Sequence, residues 1–205
     1  MNLRRVREAE AAFLERFPGG FADPGMEPIR KRHNVDRLTA YAKENMNAVT
    51  LGQPDRFADA LVHIVTRASM VSRFEKAPFR DCIASLDSKE KAALAGAFEK
   101  RLVGRNRKQG FEEIVGFLAR YKLARWSLVS ALPFYLAPTR DVFVKPTTAK
   151  KIVAELEVEG LVYRPRPDWS FYDGFRRVIR DVGRELDPSL TRNNAAITGL
   201  LVFSL

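Results

Sequence analysis

The sequence predicts an all-α protein of about eight to ten helices, with at most a minor two-stranded ribbon. Three observations carry this. Apolar residues recur at helical spacing in almost every segment between Pro and Gly breaks. Capping residues and stops recur at the ends of those segments. The only β-branched extended pieces, Val142–Val144 and Leu161–Tyr163, are three residues each. With 205 residues, 46% of them hydrophobic and 29% charged, the chain can bury a core without disulfide or metal. One helical domain over 1–205 is expected, with a subdivision near 104–110. There Gly104, Arg105, Asn106, Arg107, Lys108 and Gly110 form a polar, basic joint between a helical part, 1–103, and a basic helical part, 111–205.

In order, Val6, Ala9, Phe13 and Phe17 give an amphipathic first helix that Pro18-Gly19-Gly20 ends. Asp23-Pro24 opens a short segment through Ile29 to Arg32, whose basic run Arg30, Lys31, Arg32, His33 reads as a solvated helix end. Leu38, Tyr41 and Ala42 mark another helix, and Phe57, Leu61, Ile64, Val65 and Ala68 a core helix with His63 beside the stripe. Pro78, Phe79, Cys82, Ile83 and Leu86 follow. Asp87 with Glu90 makes a capping box for a helix lined by Leu94, Phe98 and Leu102. Phe111, Ile114, Val115 and Leu118 begin a helical stretch that continues until Pro133 or Pro138 interferes.

Next, Val142–Val144 reads as extended. Thr147 and Thr148 serve as N-caps for a helix with Ile152, Val153 and Leu156, and Gly160 as its stop. Leu161–Tyr163 can pair with Val142–Val144. Arg164-Pro165-Arg166-Pro167 stiffens the link to a helix capped by Asp168 and striped by Phe171, Phe175, Val178, Ile179, Val182 and Leu186. Pro188 breaks it. Thr191 then caps an apolar last segment, 195–205.

The chemistry-bearing residues exclude more than they support. One cysteine, Cys82, and two histidines, His33 and His63, allow no intramolecular disulfide and no structural zinc site, so neither metal nor cofactor is expected. There is no Gly-rich phosphate loop and no G-x-S-x-G elbow. Enzymatic activity is therefore not the leading expectation. Glu8, Glu10 and Glu15 occupy the place where a signal peptide needs an apolar core, and no apolar run approaches a membrane span, so a cytoplasmic, non-membrane protein is expected.

The formal charge of +10 favours polyanionic partners. It is uneven: 17 basic and 14 acidic residues lie in 1–100, against 18 and 11 in 101–205. In the C-terminal half cations interleave with aromatics. Lys122, Arg125, Arg140, Lys145, Lys150, Lys151, Arg164 and Arg166 are candidate phosphate contacts, and Trp169 is a candidate stacking residue, beside Tyr121, Trp126, Tyr135 and Tyr163. The leading expectation is non-catalytic DNA or other nucleic-acid binding. A protein-interaction module using an exposed aromatic patch, and an enzyme whose site assembles from distant residues, are the alternatives.

The region 111–186, with Val144-Lys145-Pro146-Thr147-Thr148 followed by Ala149–Glu157, distantly resembles the helical core of helix-hairpin-helix DNA glycosylases, where V-D-T-H precedes a capped helix. The hairpin of the L-P-G-V-G type is missing around Arg120–Ala124, and the catalytic aspartate position falls on Pro146 or Thr147. The resemblance implies a glycosylase-like scaffold without that chemistry. Through Phe17–Phe21 (FPGGF), Val142–Thr148 (VFVKPTT) and Leu161–Tyr172 (LVYRPRPDWSFY), most of the chain also resembles a bacterial family of unknown function, which implies no activity.

Overall fold

Helix α5, Pro54–Arg67, turns Phe57, Leu61, Ile64 and Val65 inward and packs on α3 (Val35–Asn45), α6 (Arg73–Ser85), α7 (Ser88–Leu102) and α9 (Trp126–Leu136). These helices form the middle of an all-α structure, a computed structural model describing residues 1–205. The remaining helices are α1 (Leu3–Arg16), α2 (Glu27–His33), the single turn α4 (Ala48–Leu51), α8 (Arg107–Arg120), α10 (Pro146–Glu155), α11 (Trp169–Glu185) and α12 (Asn194–Ser204). Short 3-10 turns at Gly20–Ala22, Pro24–Met26 and Pro188–Leu190 join them. There is no β-strand. No helix is long and apolar enough to cross a membrane.

Local signals work as their chemistry requires. Asp87 and Glu90 make the capping box that starts α7, and Ser72 with Glu75 makes a second at α6. Asp168 accepts from Phe171 N at 2.9 Å to start α11. Helices α7 and α8 lie tightly against each other across 104–110, because Gly110 has no side chain: a Cβ there would stand 2.4 Å from the Arg101 backbone nitrogen. Buried apolar side chains form one cluster of 54 residues reaching from Val6 to Leu201. Helix α9 runs through it with every residue from Trp126 to Tyr135 buried.

Four local expectations are corrected. The stretch from Phe111 does not stay helical, because Leu123 N turns back to Leu118 O and Lys122 adopts a left-handed φ of 60°, which separates α8 from α9. Of the two proline stops offered, Pro133 sits inside α9, and the helix ends at Leu136, ahead of Pro138. Lys145, not Thr147 or Thr148, is the N-cap of α10, since Pro146 suits the first helical position, where its missing N–H costs nothing. That helix stops at Glu155, with Glu157 in the left-handed region (φ 50°), before Gly160 is reached, and Asn193 instead of Thr191 caps α12.

The ribbon does not form, for a traceable reason. Val142–Val144 is extended, but its polar groups are turned to side chains: Val144 N donates to Ser130 Oγ at 2.9 Å, and Val142 O lies 3.4 Å from the Tyr172 hydroxyl, whose proton it shares with Asp141 Oδ1. Just upstream, Asn194 Nδ2 donates to Asp141 O at 2.9 Å. Helices α9, α11 and α12 thus hold the segment, and Leu161–Tyr163 finds no ladder to join.

Candidate nucleic-acid interface

The start of α9 organises one basic face. Arg125 precedes the helix with extended backbone, and Trp126 follows, a residue only 2% exposed. The indole Nε1–H donates to the carbonyl of Arg164 at 2.7 Å, so the Arg164-Pro165-Arg166-Pro167 link is moored on α9. Tyr163 lies 6.1 Å from Trp126, ring to ring, and Lys150 Nζ of α10 stands 5.6 Å from the Tyr163 centroid. The Lys150 ammonium and the backbone of Arg125 and Arg164, scattered in sequence, therefore meet at one indole–phenol pair. Arg166 lies two residues along the same tether, and Lys122 in the turn that delivers α9.

The other residues singled out in the sequence divide. Lys151 and Lys145 are exposed on α10 and at its N-cap. Lys122, Arg125, Lys145, Lys150, Lys151, Arg164 and Arg166 are all exposed, and none of them forms an ion pair. Arg140 differs. Its Nε donates to Asp141 Oδ2 at 3.0 Å, in a cluster where Arg101 and Asp141 are buried and Arg107 and Arg176 are close enough to act on one another's charge. Trp169 is half-buried in that second region, stacked on Tyr172 at 5.8 Å with the Arg101 guanidinium 5.4 Å from its ring. Tyr135 is wholly core.

A further exposed aromatic stands at the start of α6, near the start of α9. Phe74 is 75% exposed, with the Arg73 guanidinium 4.8 Å from its ring. Glu75, its neighbour, accepts the Ser127 hydroxyl at 2.6 Å, so the start of α6 abuts the start of α9 beside Arg125. A signal existed: the buried stripe Phe79, Ile83, Leu86 projects back to residues 75 and 72, which leaves Phe74 off the core side.

Beyond Lys145 a groove of about 360 Å³ opens between α2, the start of α3, the loop after α5 and α12. Phe21, Met26, Phe143 and Phe203 supply apolar walls. Arg30, His33 and Lys145 bring basic groups, so the run Arg30–His33, read above as solvated, reaches this groove at two positions. Arg30 Nη1 donates to the carbonyls of Phe21 and Asp23. His33 Nδ1 pairs with Ser69 Oγ at 3.0 Å. Burial, then the charges of Arg32 and Lys145, hold the His33 imidazole below its ordinary pKa, so it is neutral at pH 7. Asp36 is the one acid on the walls, and Arg192 closes it with 2.6 Å contacts to both oxygens.

Cys82 shows no activation: burial first, then the Glu90 charge, push its thiol up. His63 stacks on Tyr41 at 4.0 Å, away from any nucleophile pair. Fold and surface together define an all-α protein with a clustered, unpaired basic face. No protein-family model, curated protein or solved structure matches the chain.

Proposed function

We propose that this protein binds nucleic acid without acting on it chemically, holding the phosphate backbone on the face built around Trp126 and Tyr163. One observation carries the reading. Seven exposed cations of the C-terminal half lack carboxylate partners, and at the Trp126–Tyr163 pair the Lys150 ammonium meets the backbone from which Arg125 and Arg164 project. Unpaired cations displace counterions from a polyanion without first breaking an internal ion pair. Phe74 offers an exposed ring for stacking beside them.

The test compares two triple variants of equal charge change. Arg125→Ala/Lys150→Ala/Arg164→Ala removes the three cations of this pair. Lys31→Ala/Arg80→Ala/Arg184→Ala removes three that are already ion-paired. Fluorescence anisotropy with labelled single-stranded and duplex oligonucleotides at low salt should show a loss of about a hundredfold for the first and little for the second. Equal losses would mean that net charge alone attracts the probe. No binding by the unaltered protein would end the proposal.

A further inference from the structure

We infer that the groove beside Lys145 is a binding site for one nucleoside monophosphate unit, with its heterocycle against the apolar walls and its phosphate at Lys145. Three properties of the groove lead there together. Its volume, about 360 Å³, sits at the small end of the roughly 300–1,000 Å³ range of ligand pockets, which suits one nucleotide and not a folded partner. Its walls are half apolar, with aromatic rings at Phe143 and Phe203, and carry hydrogen-bonding groups at His33, Ser69 and Thr148, a mixture that fits a heterocycle better than an alkyl chain.

Its charge is the third property. Lys145 has no carboxylate partner, Arg30 keeps part of its guanidinium unused, and Asp36 is neutralised by Arg192, so the net field in the groove favours an anion. Lys145 acts from a fixed backbone position, being the N-cap residue of α10, and its charge is already felt at His33.

The same chemistry is presented by a free nucleotide and by one residue of a strand. In the second case the site rests on the nucleic-acid reading above, and Lys145 joins the groove to the basic face through α10. The experiment separates the two sources. His33 and His63 are the only imidazoles, so their proton resonances are told apart by one His63→Gln variant, and His63, stacked on Tyr41 and absent from the groove walls, serves as internal control. The unaltered protein is titrated with a nucleoside monophosphate, with inorganic phosphate and with a short single-stranded oligonucleotide.

The expected result is a saturable shift of the His33 resonance with the nucleotide or the oligonucleotide, and none at His63. Lys145→Ala should weaken binding by about tenfold, the scale of one lost charge-assisted contact. Gly199→Leu supplies a variant that keeps the fold. Gly199 lines the groove, a Cβ there meets nothing within 4 Å, and leucine favours the helix, so the added side chain fills the site without disturbing α12. It should abolish the His33 shift while leaving anisotropy on the basic face reduced by no more than about tenfold.

A shift with free nucleotide places the site with small molecules, and a shift with the oligonucleotide alone places it with strands; both support the inference. If inorganic phosphate binds as tightly as the nucleotide, the walls contribute nothing to a heterocycle and the inference fails. It fails too if a folded Gly199→Leu protein binds unchanged. Should the oligonucleotide bind on the basic face while His33 stays still, the groove is refuted and the nucleic-acid reading survives.

Discussion

Arg101 Nη2 and Asp141 Oδ1 lie 2.5 Å apart, forty residues distant in sequence, with side chains 1% and 2% exposed. This pair ties α7 to the segment that leads into α10. The Asp141 carboxylate also accepts from Arg140 Nε and from the Tyr172 hydroxyl, while Arg101 lies 5.0 Å from the Tyr172 ring. Removing only one ion leaves the other charged and buried. Asp141→Ala should therefore destabilise by about 3–5 kcal/mol, while the double change Arg101→Met/Asp141→Leu should recover most of that, as measured by urea unfolding. Equal destabilisation by the single and double variants would show that the pair contributes net energy beyond its own desolvation.

Two helical glycines should respond in opposite directions to alanine. At Gly110 the new Cβ would meet Arg101 N at 2.4 Å and Ala97 O at 2.8 Å, both backbone atoms that cannot swing aside. Overpacking costs about 1–3 kcal/mol, which outweighs the ~1 kcal/mol gain in helix propensity. Gly116, also in α8, has nothing within 4 Å, so only the propensity gain remains. Thermal unfolding should show Gly110→Ala melting lower and Gly116→Ala melting higher than the unaltered protein.

Most helices were legible because their information is local. Capping boxes, the stripe Phe57–Leu61–Ile64–Val65, and the breaks at Pro18 and Pro188 each act within a few residues. The absence of the ribbon is not legible in the sequence, because Val144 gives its N–H to Ser130, fourteen residues away, and one-dimensional spacing does not show that exchange. Among the candidate cations, chemistry could be read from residue type but partnership could not. Arg140 and Arg164 look equivalent in sequence, yet the first is joined to Asp141 and the second is unpaired on the Trp126 tether. The groove was hidden for the same reason, since its walls come from residues 21 to 203.

The two histidines predict a pH dependence. Burial followed by Arg32 and Lys145 lowers the pKa of His33, and burial followed by Arg67 and Arg37 lowers that of His63. The unfolded chain then binds protons first as pH drops through 6.5, so stability should fall on acidification until the folded imidazoles protonate at their lower values. Unfolding at a series of pH values between about 7.5 and about 5 measures this. Lys145→Ala should raise the His33 value and leave His63 where it is, as followed by proton NMR. A simultaneous shift of both would contradict a local charge effect.

The salt dependence of binding counts phosphates, and this gives the basic face a stricter test than affinity. Each phosphate contact contributes about 0.9 to the slope of log K against log salt on a duplex and about 0.7 on a single strand. Arg125→Ala, Lys150→Ala and Arg164→Ala should each lower the slope by about one such step. Arg140→Ala should change it little, because that guanidinium already faces Asp141. Phe74→Ala removes no charge and should weaken binding to a single strand by a stacking contribution of about 1–3 kcal/mol with its slope intact. A reduced slope in Phe74→Ala would mean that the ring positions Arg73, 4.8 Å away, and does not stack on a base.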